Sequence, residues 1–362
     1  MEKLRVGIIG ATGMVGQRFI KGLENHPWFE ITVLAASERS AGFIYRRLMK
    51  KRWVMNTPIP KKVVKIKVKN ASNIAEIAKE VDFIFCAVDM EKDKIRELED
   101  AYAKAEIPVV SNNSAHRWTL DVPMILPEIN DAHLKIIDVQ KKRLGTKRGF
   151  VVVKPNCSIQ SYVPLISPLM KFQPIKITVC THQAISGAGK TFESWPEMLD
   201  SVIPYIGGEE EKSEKEPLKI WGSIVNNEIV LASKPLISAQ CFRVPVSDGH
   251  MAAICVSFPF AEKPSKEKIL ELWKNFKGKP QILNLPSAPK QFIKYFEEEN
   301  RPQTNLDRDI ENGMGITAGR LRDDNIFDYK FVGLSHNTIR GAAGGAILIA
   351  ELLVAEGYIS KK

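Results

Sequence analysis

Cysteine is scarce in this 362-residue chain, and the five present (Cys86, Cys157, Cys180, Cys241 and Cys255) stand far apart. No Cys-x-x-Cys pair and no metal-ligand spacing occurs, which excludes a zinc module and predicts no metal. No apolar run reaches the ~20 residues of a membrane-spanning helix, and the N-terminus enters a strand pattern rather than a secretory leader. An odd cysteine count without a leader predicts a reducing, cytoplasmic setting. The sequence also lacks internal repeats and low-complexity tracts. Net charge is +10, but the basic residues are dispersed: Lys50-Lys51-Arg52, Lys61-Lys62, Lys141-Lys142-Arg143 and Lys147-Arg148. They do not alternate with stacking aromatics, so a nucleic-acid partner is excluded and most of this charge is assigned to solvated faces.

What remains is a globular chain with 44% hydrophobic and 26% charged residues, long enough for two cores. Leu4 to Gly10 reads as a short apolar strand. It runs into Gly10-Ala11-Thr12-Gly13-Met14-Val15-Gly16, and a helix pattern follows from Gln17 to Glu24. Strand, glycine turn and helix in that order form a dinucleotide-binding signal, because the turn lets backbone approach a pyrophosphate at a helix N-terminus. A second strand, Ile31–Ala36, ends in Ser37-Glu38-Arg39-Ser40. Hydroxyls and an arginine there favour the 2′-phosphate of NADP, against which Glu38 argues. Val81–Val88 and Ile107–Ser111 read as further strands, with a charged helix from Glu91 to Lys104 between them. This alternation predicts a doubly wound sheet whose ligands sit beyond its C-terminal strand ends, where Arg117 also lies.

Near the middle stands Lys154-Pro155-Asn156-Cys157-Ser158, between the apolar Val151–Val153 and a helix pattern from Ile159 to Lys171. A cysteine at a strand-to-helix junction is either a small buried residue or a nucleophile whose thiolate is favoured by unpaired helix N–H groups. Downstream, Ile175–Ile185 alternates as a strand and leads into Ser186-Gly187-Ala188-Gly189-Lys190-Thr191. That run is not a phosphate-binding P-loop, since the pattern requires glycine where Ala184 stands. Glu209 and Lys212 have the spacing of an ordinary helix surface pair. Arg243 and His250 flank a turn at Ser247-Asp248-Gly249, so both can face one cleft. Phe292 to Asp309 reads as a polar, Pro-interrupted loop. Phe327–Leu334 reads as a strand, and an Ala/Gly-rich helix from about Arg340 to about Ala355 is expected to lie against the first domain.

The glycine turn, the Asn-Cys-Ser and the Arg-x6-His, with four further stretches between and after them, occur in an order that resembles the aspartate-semialdehyde dehydrogenases of archaea, fungi and some bacteria. These further stretches are Ser111–Arg117, Gln183–Gly189, Pro204–Lys212 and His336–Gly341. The resemblance implies an α/β architecture with a Rossmann-type domain over 1–153 and 340–362, and an α+β catalytic and dimerisation domain over 154–339. It implies reversible, NADPH-dependent reductive dephosphorylation of L-4-aspartyl phosphate to L-aspartate 4-semialdehyde, in lysine, threonine and methionine biosynthesis. Cys157 would be the nucleophile, His250 the general acid/base and Gln183 the substrate-orienting glutamine. Arg243 would hold the substrate carboxylate, Glu209 and Lys212 its amino and phosphate groups, and Arg117 the phosphate. NADP(H) contacts would come from Gly10, Thr12, Gly13, Met14, Val15, Ser37, Arg39, Ser40, Ser186, Gly187 and Asn337. The implied partners are a small acyl phosphate, inorganic phosphate and further copies of the chain, as a homodimer or homotetramer. The Lys190–Pro196 loop departs from the family pattern. Two alternatives stay open: an acyl-CoA reductase for malonyl- or succinyl-CoA on the same scaffold, and a non-catalytic dinucleotide sensor.

Overall fold

The computed structural model describes residues 2–362; Met1, assigned by sequence to the first domain, lies outside the described residues. Two six-stranded sheets organise the chain. The first comprises β1 (Leu4–Ile9), β2 (Phe29–Ala36), β3 (Lys69–Asn70), β4 (Phe83–Cys86), β5 (Val109–Ser111) and β6 (Val151–Val153), in the order β3-β2-β1-β4-β5-β6. Every pairing in it is parallel. β4, β5 and β6 are buried on both faces, as expected for runs such as Phe83-Ile84-Phe85-Cys86 covered by helices on either side.

The second sheet is mixed. It contains β7 (Lys176–Gln183), then, beyond a small hairpin of β8 (Ser223–Val225) and β9 (Glu228–Val230), β10 (Leu236–Arg243), β11 (His250–Ser257), β12 (Ile293–Phe296), β13 (Ile316–Asp323) and β14 (Tyr329–Ser335). The order is β10-β7-β11-β14-β13-β12. Alternating burial along β7, β10 and β11 gives this sheet one covered face and one open face. β12 falls inside the stretch read from sequence as a loop. Its four residues, Ile293-Lys294-Tyr295-Phe296, are too few to establish a period, and parallel pairing with β13 creates the strand.

The helix Gly344–Ala355 buries every residue from Gly345 to Leu353. It packs among Val6, Ile8, Phe19, Val110 and Val152 of the first domain. At roughly 1.5–3 kcal/mol for each Leu or Ile removed from water, this return of the chain is a large share of that domain's core. Glu351 on the helix meets His26 at 2.7 Å. Arg340, just ahead of it, forms a two-pronged pair with Glu128 at 2.7 and 2.6 Å, with both side chains buried. No described helix is long and apolar enough to cross a membrane.

Candidate active site

Cys157 follows the end of β6 and precedes a single tight turn, Ser158–Ser161. The helix expected to start after Cys157 does not run on as one piece through Lys171. Three short pieces replace it (Ser158–Ser161, Val163–Ile166 and Ser167–Phe172), because Pro164 and Pro168 each remove a backbone donor. So short a turn aligns few peptide dipoles, which corrects the expectation that a helix N-terminus acidifies the thiol. Burial instead pushes the Cys157 thiol up to about 11, and Glu209 adds to the rise. Lys154, Arg117 and Arg243 oppose it. Neighbouring cations, not a helix, are what favour the thiolate here.

His250 opens β11 and is fully buried. Its Nε2 lies 3.4 Å from Cys157 Sγ, and its Nδ1 accepts the Ala184 amide N–H at 3.1 Å. A backbone N–H can only donate, so the neutral ring carries its hydrogen on Nε2, facing the sulfur. Burial, and next the Arg243 guanidinium, push the imidazolium down to about 3, with the Gly249 carbonyl and Asp248 opposing weakly. The ring is neutral at physiological pH.

β7 and β10 are parallel neighbours whose register sets Gln183 opposite Arg243 at their C-terminal ends. Arg243 Nη1 donates to the Ala184 carbonyl at 2.6 Å. A side chain at Gly187 would come within 2.9 Å of that nitrogen and 3.0 Å of His250, so residue 187 has to be bare for Arg243 and His250 to share the cleft. The helix Glu209–Ile220 brings its first turn to the same place. Glu209 does pair with Lys212, at 2.7 Å, but it is no surface residue. It is buried, and it accepts two bonds from Asn156 Nδ2, both 3.0 Å, and one from Gln183 Nε2 at 3.3 Å.

Arg117 is buried beside them, donating to Glu216 at 2.8 Å and to the Lys154 carbonyl at 3.0 Å. Asn156 and Glu216 were not anticipated from sequence. Glu216 also accepts the Asn156 amide at 2.6 Å, which fixes the residue before the cysteine. The signal was available, since Glu209, Lys212, Ser213 and Glu216 recur at three- and four-residue steps along one helix face.

The other ligand cleft, of about 430 Å³, is lined by Gly10, Thr12, Gly13, Ser37, Glu38, Arg39, Ser72 and Ala87, among others. Gly10 has φ +93° and sits where a Cβ would be 2.2 Å from the Ala87 carbonyl, so only glycine makes this turn. At Gly13 an added Cβ would meet little, leaving backbone open to a ligand. These features suit a dinucleotide pyrophosphate. Ser40 is buried in the turn beyond Arg39 and does not line the cleft. Val15 is partly buried against the domain core. Met14 and Ser186 line a neighbouring cavity of about 150 Å³ together with Lys190, Thr191 and Phe192 of the departing loop. Asn337 donates to Ser186 at 2.9 Å and accepts the Gly249 amide at 2.8 Å, which ties that cavity to the turn before His250.

The chain resembles known proteins over its whole length. The family description "Semialdehyde dehydrogenase, NAD binding domain" matches residues 5–137, and "Semialdehyde dehydrogenase, dimerisation domain" matches residues 166–340. The chain is 42% identical over 354 residues to an aspartate-semialdehyde dehydrogenase of Archaeoglobus fulgidus, covering 98% of this chain and 99% of that protein. It is 43% identical over 362 residues to that of Schizosaccharomyces pombe, with the same coverage. The crystal structure of aspartate semialdehyde dehydrogenase with NADP from Candida albicans superposes with a TM-score of 0.89 at 38% identity, covering 99% of this chain and all of that one. A Rossmann-type domain, a second mixed-sheet domain and full-length identity of this order establish that the chain belongs to the aspartate-semialdehyde dehydrogenase family.

Proposed function

We infer that the chain catalyses the reversible, NADPH-dependent reductive dephosphorylation of L-4-aspartyl phosphate to L-aspartate 4-semialdehyde, a step of amino-acid biosynthesis. The observation that carries this is the Cys157–His250 contact of 3.4 Å at the point where Gln183, Arg243 and Glu209 converge. Cys157 as thiolate attacks the acyl phosphate carbonyl, expels phosphate and is left as a thioester, which splits one hard displacement into two easier steps. NADPH, when bound, supplies the hydride that reduces this thioester. His250 then holds its Nε2 hydrogen toward the oxygen of the thiohemiacetal on Cys157, and it exchanges that proton as the aldehyde leaves.

Around the reacting carbon, the planar fork of Arg243 suits the substrate α-carboxylate. Glu209 suits the ammonium group, and Lys212 and Arg117 suit the phosphate. An acyl-CoA substrate has no ammonium group for Glu209 to meet, so the amino-bearing substrate is the better fit. The dinucleotide is assigned to Gly10, Thr12, Gly13, Ser37 and Arg39, with Met14, Val15, Ser40, Ser186, Gly187 and Asn337 in support. Residues 1–153 and 340–362 are assigned to cofactor binding and 154–339 to catalysis and dimerisation. The working form is assigned as a cytoplasmic homodimer or homotetramer.

Mixing the protein with aspartate semialdehyde, phosphate and NADP, and following NADPH absorbance, tests the reading. A signal in the parent and none in Cys157→Ala is expected. Absence of signal in the parent would sink the assignment, and activity with an acyl-CoA alone would transfer it to the reductase class.

A further inference from the structure

Arg117, the arginine assigned above to the phosphate, is gripped from both ends by one helix. Its guanidinium Nη1 donates to Glu216 at 2.8 Å, and its main-chain carbonyl accepts from Lys219 Nζ at 2.7 Å. Glu216 and Lys219 stand three residues apart on the helix Glu209–Ile220, so both lie on the face turned to Arg117. Both are buried, Glu216 fully and Lys219 with 2% exposure.

Lys219 has no place in the reaction above, yet its donors are committed to one stretch of chain. Besides the Arg117 carbonyl, Nζ reaches those of Thr119 at 3.1 Å and Val122 at 3.0 Å. Residues 117–122 form turns rather than a helix or a strand, so their carbonyls have no regular ladder to satisfy them. Three acceptors match the three N–H groups of an ammonium. Burial draws Lys219 down to about 8, opposed by Asp121 and Glu216, which leaves it charged near neutrality.

The guanidinium itself is only partly occupied. Nε donates to the Lys154 carbonyl at 3.0 Å and Nη1 to Glu216, while Nη2 has no partner among the described residues. Two contacts therefore fix the plane of the fork, a third fixes its backbone, and one nitrogen is left for an anion. We propose that Lys219 is a positioning residue which, with Glu216, holds Arg117 so that Nη2 meets the phosphate group of the acyl phosphate. This rests on the assignment of the phosphate to Arg117 and adds what aims that arginine. The same helix carries Glu209 and Lys212 in its first turn, so one rigid element sets the spacing between the groups for the ammonium and those for the phosphate. A lysine that only fastened the end of the helix would support the fold without favouring one ligand.

The test is protection of Cys157 from iodoacetamide by inorganic phosphate, read by peptide mass spectrometry on the full-length protein with no aldehyde or cofactor present. In the parent, phosphate should slow alkylation in a saturable way. Arg117→Met should raise the half-protecting concentration by about tenfold or more, the loss of one charge-assisted contact. Lys219→Met keeps the stem but removes the donors, and should raise it by about three- to thirtyfold. In the double variant the value should be that of Arg117→Met alone, because Lys219 acts only through the arginine. Lys219→Gln, with two donors for three carbonyls, should fall between the parent and the Met variant, and it carries the test should Lys219→Met fail to fold. Glu216→Gln loses one of two acceptor oxygens and should likewise have no effect once Arg117 is replaced. A folded Lys219 variant protected like the parent would overturn the proposal, and so would effects that multiply in the double variant. Protection that is absent in the parent, or that Arg117→Met leaves intact, would overturn it too. Inactivity with aspartate semialdehyde would sink the substrate assignment and leave these results unchanged, so the two readings fail separately.

Discussion

Cys157 Sγ and His250 Nε2 lie 3.4 Å apart, and the Ala184 amide on the far side of the ring decides that the hydrogen between them belongs to the histidine. The pair is therefore set to donate a proton to an oxygen forming on the sulfur-bound carbon. His250→Asn should lower kcat by roughly 10²–10⁴-fold, the usual loss for a positioned acid or base. NADP affinity, followed by fluorescence titration, should not change. An unaltered kcat would place the proton donor elsewhere.

Glu209 has two separable effects, because it holds Asn156, Gln183 and Lys212 and also raises the Cys157 thiol. Glu209→Gln should raise KM for the amino-bearing substrate about 10–100-fold, the size expected for one charge-assisted contact. The same variant should alkylate at Cys157 faster than the parent, since the carboxylate no longer opposes the thiolate. Slower alkylation with unchanged KM would contradict both assignments.

Arg340 joins the start of the last helix to Glu128 through a buried two-pronged pair, with its guanidinium 4.7 Å from the Phe292 ring centroid. Glu128→Gln leaves a buried cation unpaired and should cost about 3–5 kcal/mol in denaturant unfolding. A loss below ~1 kcal/mol would mean that Arg340 finds another partner.

Glu99 is fully buried and accepts from Ser111 at 2.5 Å and Asn113 at 2.9 Å, while its second oxygen has no partner. Burial raises its carboxyl from the ordinary 4.5 to about 7. The folded chain thus keeps a proton that the unfolded chain releases. The stabilising contribution is whole below pH 4.5, falls as pH rises and is gone above about 7, a total of about 3 kcal/mol. Glu99→Gln, measured by urea unfolding at pH 5 and pH 8, should lose less stability between the two than the parent. An equal loss would place the titrating group elsewhere.

Much of the first domain was legible because a parallel sheet buried on both faces writes itself as unbroken apolar runs, such as Val81–Val88, separated by helices and a glycine turn. The second sheet was legible in β7, where alternation marks one covered face. It was illegible in β12, which exists through pairing with β13. Around Cys157 the local reading erred. The apolar pattern from Ile159 starts a helix whose length Pro164 and Pro168 leave open, and the thiol is governed by Lys154 nearby and by Glu209, Arg117 and Arg243 from three other parts of the chain.

By itself, the sequence determined the order of strand, glycine turn and helix and the two-domain scale of the chain, since these follow from local pattern and chain length. Only the tertiary structure decided that Glu209 is buried among Asn156, Gln183 and Lys212, that Glu216 fixes Arg117, and that Ala184 sets the proton on His250. The physical reason is that burial and charge act through space over a few ångströms. Cys157 and Lys154 abut Gly341 and Gly345, nearly two hundred residues away in the chain, and no spacing in the sequence records that approach.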